Sequence, residues 1–448
     1  MAAQEKTPVT SVPFFMTLLL VLGAGLLLAA SASGRRPQRK ATERQAVAPV
    51  TPGVEAEEGA TPVAVAPSAG QAAECQNGRA AGYASHNVDL LSHLPLEMLE
   101  AASANDLWGW SNPQTGKDYA IVGVNNGTVF IDVTRPTEPI YLGKLPTHGA
   151  NSFWRDVKVY EGHAFIVSEA GGHGMQIFDL RRLNEVTDPP VIFQETAHYD
   201  EFGKAHNIAI NPQTGTAYAL ATEQGRSCGG GLHMIDITTP TSPTFAGCYA
   251  SEGMIHETQC VIYEGPDEAY KGREICFNSS VNAFTIVDVT DREDPQQIAS
   301  TGYPELVYVH QGWLTEDQRY FLLNDEFDEL YNDTQTRIYT FDVTDLQEPQ
   351  LKGIWSGPTR ATSHNLYVRD GYVYAANYTH GMDVLQIGDL AQGQLEEVAH
   401  FDTYEQSDRP GWYHGAWTAC PCFAEQDKVV ISTVRQGLFV VRPDLPGD

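Results

Sequence analysis

Five histidines, His206, His256, His310, His364 and His414, follow one another at intervals of 50, 54, 54 and 50 residues. Each opens a short apolar run: AHNIAI, IHETQC, VHQGWL, SHNLYV and YHGAWT. Imidazole nitrogens bind Zn, Cu or Fe and carry protons near neutral pH. One residue type held in one register of a repeat roughly 50 residues long means stacked units that bring these side chains to a shared feature. The five histidines are therefore the candidate metal ligands.

A second repeat shows which elements must position them. An apolar pair is followed by Asp, an aliphatic residue and often Thr, then Pro: FIDVTRPTEP (130–139), IFDL (177–180), MIDITTPTSP (234–243), IVDVTDREDP (286–295) and TFDVTDLQEP (340–349). Two degenerate copies, VLQIGDL (384–390) and FVVRPDL (439–445), bring the total to seven. Each unit reads as a first strand near the His register, a turn such as NPQTG, a second strand, the Asp-bearing third strand and a Pro-bounded fourth. Four short antiparallel strands repeated seven times predict an all-β, seven-bladed β-propeller. Proline at the start of the fourth strand fits an outer edge, where no ladder hydrogen bond is lost. The last unit stops at its third strand, while NVDLLSHLPL (87–96) resembles the fourth-strand segment IYLGKLPTHG (140–149). The N-terminal strand is expected to complete the last blade, because an open sheet edge invites aggregation.

In such a fold the first strand of each blade is innermost, so the histidines should line the central channel. Arg155 holds the same register in the second blade and Asn105 roughly does in the first. At the end of the second strand stand Glu169, Glu223, Asn278, Asp325 and Asn377. Asn105, Arg155, Asn278 and Asn377 are candidate ligand-binding residues, and Glu169, Glu223 and Asp325 candidate general bases or partners of a ligating His. The bland alternative is a polar channel whose side chains and waters satisfy strand ends. The repeated Asp132, Asp179, Asp236, Asp288 and Asp342 are expected to accept backbone N–H bonds that end each strand. The segment Asn324-Asp325-Glu326-Phe327-Asp328-Glu329 is dense in oxygen ligands and could take Ca²⁺ near Asp325 and Asp328, although it lacks the spacing and glycine of an EF-hand.

Residues 14–30 are continuously apolar apart from Thr17 and precede Ala30-Ser31-Ala32, so 1–33 read as a signal peptide or an N-terminal membrane anchor. Arg35, Arg36, Arg39, Lys40 and Arg44 follow, which positive-inside logic places in the cytoplasm. Residues 34–74, rich in Ala, Pro and Glu without period, read as a disordered linker, and 75–448 as the propeller. Cys228 with Cys248, and Cys260 with Cys276, sit where local disulfides would close, which suits an oxidising compartment. Of the remaining three cysteines, Cys75 is expected to bond Cys420 or Cys422. The formal charge of −29 argues against a nucleic-acid partner. No G-x-S-x-G elbow, P-loop or H-E-x-x-H motif is present, so serine-hydrolase, nucleotide-binding and zincin chemistry lack support.

The segments WRDVKVYEGHAFIVSE, CGGGLHMIDI, HETQCVIYEGPDEAYKGREICF, HQGWLTEDQRYFLLNDE and SHNLYVRDGYVYAANYTHG resemble the choice-of-anchor B family of exported, LVIVD-repeat propeller-like proteins over about residues 83–443. The resemblance implies export and surface attachment by variable tails, here expected through residues 14–30 or not at all. Gln386 and Arg442 depart from the repeated Asp. The expected function is an exported or cell-surface module that binds an extracellular ligand or protein at an acidic, His-lined channel mouth. The alternative is a metal-dependent oxidoreductase or hydrolase with Fe, Cu or Zn on the axis.

Overall fold

The computed structural model describes residues 72–251, 253–423 and 428–446; the apolar segment 14–30 and most of the linker lie outside them. Among the described residues no helix is long and apolar enough to cross a membrane.

Seven sheets, antiparallel apart from the short strand Val191–Ile192 that runs parallel to Ile140–Pro146 in blade 1, follow one another around an axis. Their innermost strands are Ala104–Ser111, Arg155–Tyr160, Asn207–Asn211, Glu257–Ile262, Val309–Leu314, Leu366–Arg369 and Ala416–Cys420, in blades 1 to 7. Each innermost strand contacts the next, and that of blade 7 contacts that of blade 1, which closes the ring. The outer strand of blade 7 is Val88–Leu94, paired antiparallel with Gly437–Pro443, as the sequence predicts. Two short strands unforeseen in the sequence, Tyr83–His86 and Arg79–Ala80, extend blade 6 outward from Leu395–Phe401.

The repeated aspartates make the turn their spacing suggests. Asp132, Asp236, Asp288 and Asp342 each accept the backbone N–H of the Thr two residues on, at 2.9–3.0 Å. Asp179 accepts the Arg181 N–H in the same way. Aliphatic and aromatic residues on both faces of each sheet fill the space between blades. Phe130 stacks on Phe178 across blades 1 and 2 at 4.6 Å, and Phe284 on Phe321 across blades 4 and 5 at 4.7 Å.

Cys228–Cys248 and Cys260–Cys276 are disulfide-bonded as expected. The third pair differs from expectation: Cys420 bonds Cys422, and Cys75 stands outside any disulfide. The reason is radial distance. Cys75 is held at the outer edge of blade 7, where its N–H donates to Asp89, whereas Cys420 ends the innermost strand of that blade. Three strand spacings, roughly 14 Å, separate the two edges of a four-stranded sheet.

His233, on the third strand of blade 3, is buried between Tyr199 Oη at 2.9 Å and the Arg226 carbonyl at 2.7 Å. Burial holds its pKa down to about 4. The unfolded chain therefore takes up a proton near pH 6.5 that the folded one refuses until about pH 4. Stability should fall as pH drops through that window, by on the order of 2 kcal/mol from this group. Denaturant melts at pH 7.5 and 4.5 check this: the loss should be smaller in His233→Phe, and equal losses in both proteins would refute it.

Candidate functional site

Four of the five histidines meet near the axis. Successive rings of His206, His256, His310 and His364 lie 4.5, 4.2 and 4.5 Å apart between centroids. The arc continues onto Trp417, 4.6 Å from His364, and Tyr378, 4.4 Å from it. His414 stands outside the arc, stacked on Tyr404 at 5.1 Å. Blade 7 begins its inner strand only at Ala416, and an irregularity between Ala416 and Thr418 turns Trp417 into the ring position. The even spacing of His414 in the sequence is thus a property of the preceding loop.

The imidazoles are oriented from behind. His256 Nδ1 lies 2.9 Å from the His310 carbonyl and His364 Nδ1 2.6 Å from the Trp417 carbonyl. A carbonyl only accepts, so both Nδ1 atoms carry the proton and both Nε2 atoms present a lone pair. His206 Nδ1 meets Glu169 Oε1 at 2.5 Å. This pair is the open end of the arc, since Glu169 is 28% exposed while the His310 side chain is 1% exposed.

A carboxylate closes the buried end. Glu326 Oε2 lies 3.7 Å from His310 Nε2, and its Oε1 accepts from Tyr378 Oη at 3.1 Å. One ligand atom each of His310, Glu326 and His364 falls within 4.8 Å of the others. Two imidazoles and one carboxylate form a recognised ligand set for first-row transition metals. Burial, reinforced by the neighbouring imidazoles, drives His256 and His310 well below the usual imidazole range. Burial likewise takes His364 down to about 3. Burial lifts Glu326 to about 8 against the opposing Tyr378 hydrogen bond.

The other sequence candidates are placed elsewhere. Asp325, one residue short of the site, accepts from Val307 N, Tyr308 N, Tyr303 Oη and Phe327 N, which makes it a clamp on the approach loop. Asp328, which opens the short helix Asp328–Tyr331, accepts from Tyr339 Oη at 2.6 Å. An irregularity between Val309 and Gln311 shifts the register by one, so Glu326 reaches the histidines instead of Asp325. Glu223 is exposed on a two-stranded ribbon with Phe202–Lys204 and pairs with Lys204 at 3.2 Å. Arg155 turns away from the axis to His173 and Thr147. Asn278 bonds Thr258 and Thr285, Asn377 donates to Asp383, and Asn105 donates to the Phe153 carbonyl.

A second buried layer of charge, absent from the sequence reading, lies one residue along the inner strands. Lys158 Nζ sits 2.7 Å from Asp156 Oδ1 and 4.0 Å from Asp106 Oδ2, and Asp106 accepts from Thr418 Oγ1 at 2.6 Å. Burial opposes the charge on Lys158, but Asp156 and Asp106 outweigh it and hold the ammonium firmly protonated. Burial raises Asp106 to about 7 and Glu257 well above its ordinary value.

Comparisons with known proteins bear on the fold. The LVIVD repeat model matches residues 116–147 and 228–251, which hold the second to fourth strands of blade 1 and the third and fourth of blade 3. No curated protein matches the chain. The WD40 repeats of RRP9 are similar in structure at 8% identity, over 80% of this chain and 97% of that one, with a TM-score of 0.50. A Lactobacillus plantarum protein aligns at 14% identity over 73% of this chain and 88% of that one, with a TM-score of 0.49. The periplasmic gluconolactonase PpgL of Pseudomonas aeruginosa aligns at 9% identity over 65% and 84%, with a TM-score of 0.47. At such an identity the likeness to the RRP9 repeats speaks for the fold alone, and nothing is argued from the other two. The chain is a seven-bladed β-propeller that carries LVIVD repeats.

Proposed function

We propose that the protein is an exported or surface-attached propeller that binds a small ligand at the histidine-lined end of its channel, with a transition metal ion as the capturing group. The observation that carries this reading is the convergence of His310, His364 and Glu326 within 4.8 Å, with His364 and Glu326 each held by a further hydrogen bond. Such outer hydrogen bonds fix ring orientation and raise ligand basicity. The more exposed His206 and Glu169 form the way in, where an entering ligand would meet the ion. Export is supported by the apolar run 14–30, by the disulfides and by the resemblance to the choice-of-anchor B family. A metalloenzyme is the second reading, favoured by one point: the two-His-one-carboxylate set leaves coordination positions open to a substrate.

Elemental analysis of protein purified without an affinity tag or chelator, then reloaded with Zn²⁺, tests the site. The His310→Ala/His364→Ala double variant should lose one equivalent of metal relative to the parent. Glu326→Gln, which keeps the shape, should weaken binding at least about 10-fold. Metal content unchanged in both variants would overturn the proposal.

A further inference from the structure

Blades 2 and 6 share a signature that the repeat alone does not require. His173-Gly174-Met175 and His380-Gly381-Met382 open their third strands, and Ala197-His198-Tyr199-Asp200 and Ala399-His400-Phe401-Asp402 close their fourth. The register is the same in both: Gln176 pairs with His198, and Asp383 pairs with His400. Gln176 thus stands where blade 6 has Asp383, and His198 meets Glu195 and His148 instead, one ligand atom of each lying within 4.8 Å of the others.

The two are completed in opposite ways. In blade 2 a protein cation fills the cluster, because Arg155 Nη1 lies 2.8 Å from His173 Nε2. In blade 6 the matching histidine has no such partner. His380 is 8% exposed, and its Nε2 is buried without a hydrogen bond, 3.5 Å from Asp383 Oδ1. His400 Nδ1 lies 2.8 Å from that same oxygen, and the two rings stack at 4.3 Å. Among the described residues no lysine or arginine pairs with Asp383; its other oxygen takes the Asn377 amide at 2.9 Å.

We infer that His380, Asp383 and His400 form a binding site for a divalent first-row transition metal, separate from the axial site. One ligand atom from each lies within 4.8 Å of the others. Imidazole and carboxylate together suit Zn²⁺, Ni²⁺, Co²⁺ or Cu²⁺. Asp408 Oδ1, 3.7 Å from His380 Nδ1, stands where a carboxylate orients a ligating imidazole from behind. His86, on the extra strand, pairs in register with His400 and so lies on the same face of the sheet. The cation that blade 2 builds from arginine, blade 6 takes from solution.

The rival occupant is a proton shared between His380 and its flanking carboxylates, and the experiment separates the two. Zn²⁺ is titrated by calorimetry into the full-length His310→Ala/His364→Ala protein, or the parent if that variant does not fold, at pH 7.5. The site should take up about one equivalent, with affinity lowered at least about 100-fold by His400→Ala and by Asp383→Asn. Asp408→Asn should cost about 10-fold, the usual loss for an orienting partner. His163→Ala in blade 2, a histidine outside every such cluster among the described residues, should leave the titration unchanged. No uptake by the double variant, or none beyond the axial equivalent in the parent, or an uptake indifferent to His400→Ala and Asp383→Asn, would overturn the assignment and leave the axial proposal standing.

Discussion

Replacing Lys158 with methionine is expected to destabilise the propeller by about 3–5 kcal/mol, the usual effect of stranding a buried charge. Lys158 is the ammonium placed among Asp106, Asp156 and Glu257 at the channel core, with 7% of its surface exposed. Methionine keeps the length of the stem and removes the charge. Asp156 also accepts the Ile208 N–H at 2.8 Å, so it cannot simply turn toward water. Denaturant melts at pH 7.5 measure the loss. A Lys158→Met/Asp156→Asn double variant should regain part of it, because the two sites are coupled through one contact. A single variant within about 1 kcal/mol of the parent would show that the cluster does not depend on its cation.

The second large effect concerns closure. A chain that starts at residue 97 should fail to form a monomeric, cooperatively melting propeller. It loses the strand Val88–Leu94, whose Val88, Leu90, Leu91 and Leu94 are each no more than 6% exposed. At about 1.5–3 kcal/mol per buried aliphatic side chain, the deficit is roughly 6–12 kcal/mol. That rivals the whole stability of an ordinary domain, about 5–15 kcal/mol. It also leaves Gly437–Pro443 as a bare, apolar strand edge prone to self-association. Size-exclusion chromatography and thermal melting read the outcome. A monomer that melts like the parent would contradict the closure role.

The architecture was legible because it is written in local chemistry. The Asp-x-Thr turn, the Pro-bounded outer strand and the alternation of short apolar runs each recur, and their sum fixes seven blades and the closing partner. The site was legible only in part. Periodicity found His206, His256, His310 and His364, since these keep the register of their inner strands. It misplaced blade 7 because its strand starts late, at Ala416, so that the ring position belongs to Trp417 and not to His414. It chose Asp325 over Glu326 because an irregularity beside His310 shifts the neighbouring strand by one residue, and such irregularities leave no compositional mark. Lys158, Asp106 and Asp156 escaped notice for another reason. Charged residues on a strand read as solvent-facing unless the channel that buries them is already known. Arg155 in the His register and Glu223 at the second-strand position were both expected at the ring, yet side-chain length and a local ribbon carry their charges elsewhere.

The proposed function rests on a metal ion between His310, His364 and Glu326. Crystals of tag-free protein loaded with Zn²⁺, measured above and below the zinc absorption edge, address it directly. An anomalous peak is expected about 2.0–2.2 Å from one nitrogen of each imidazole and from a carboxylate oxygen of Glu326. Ordered water at that point, with zinc absent from the axis at saturating concentration, would contradict it.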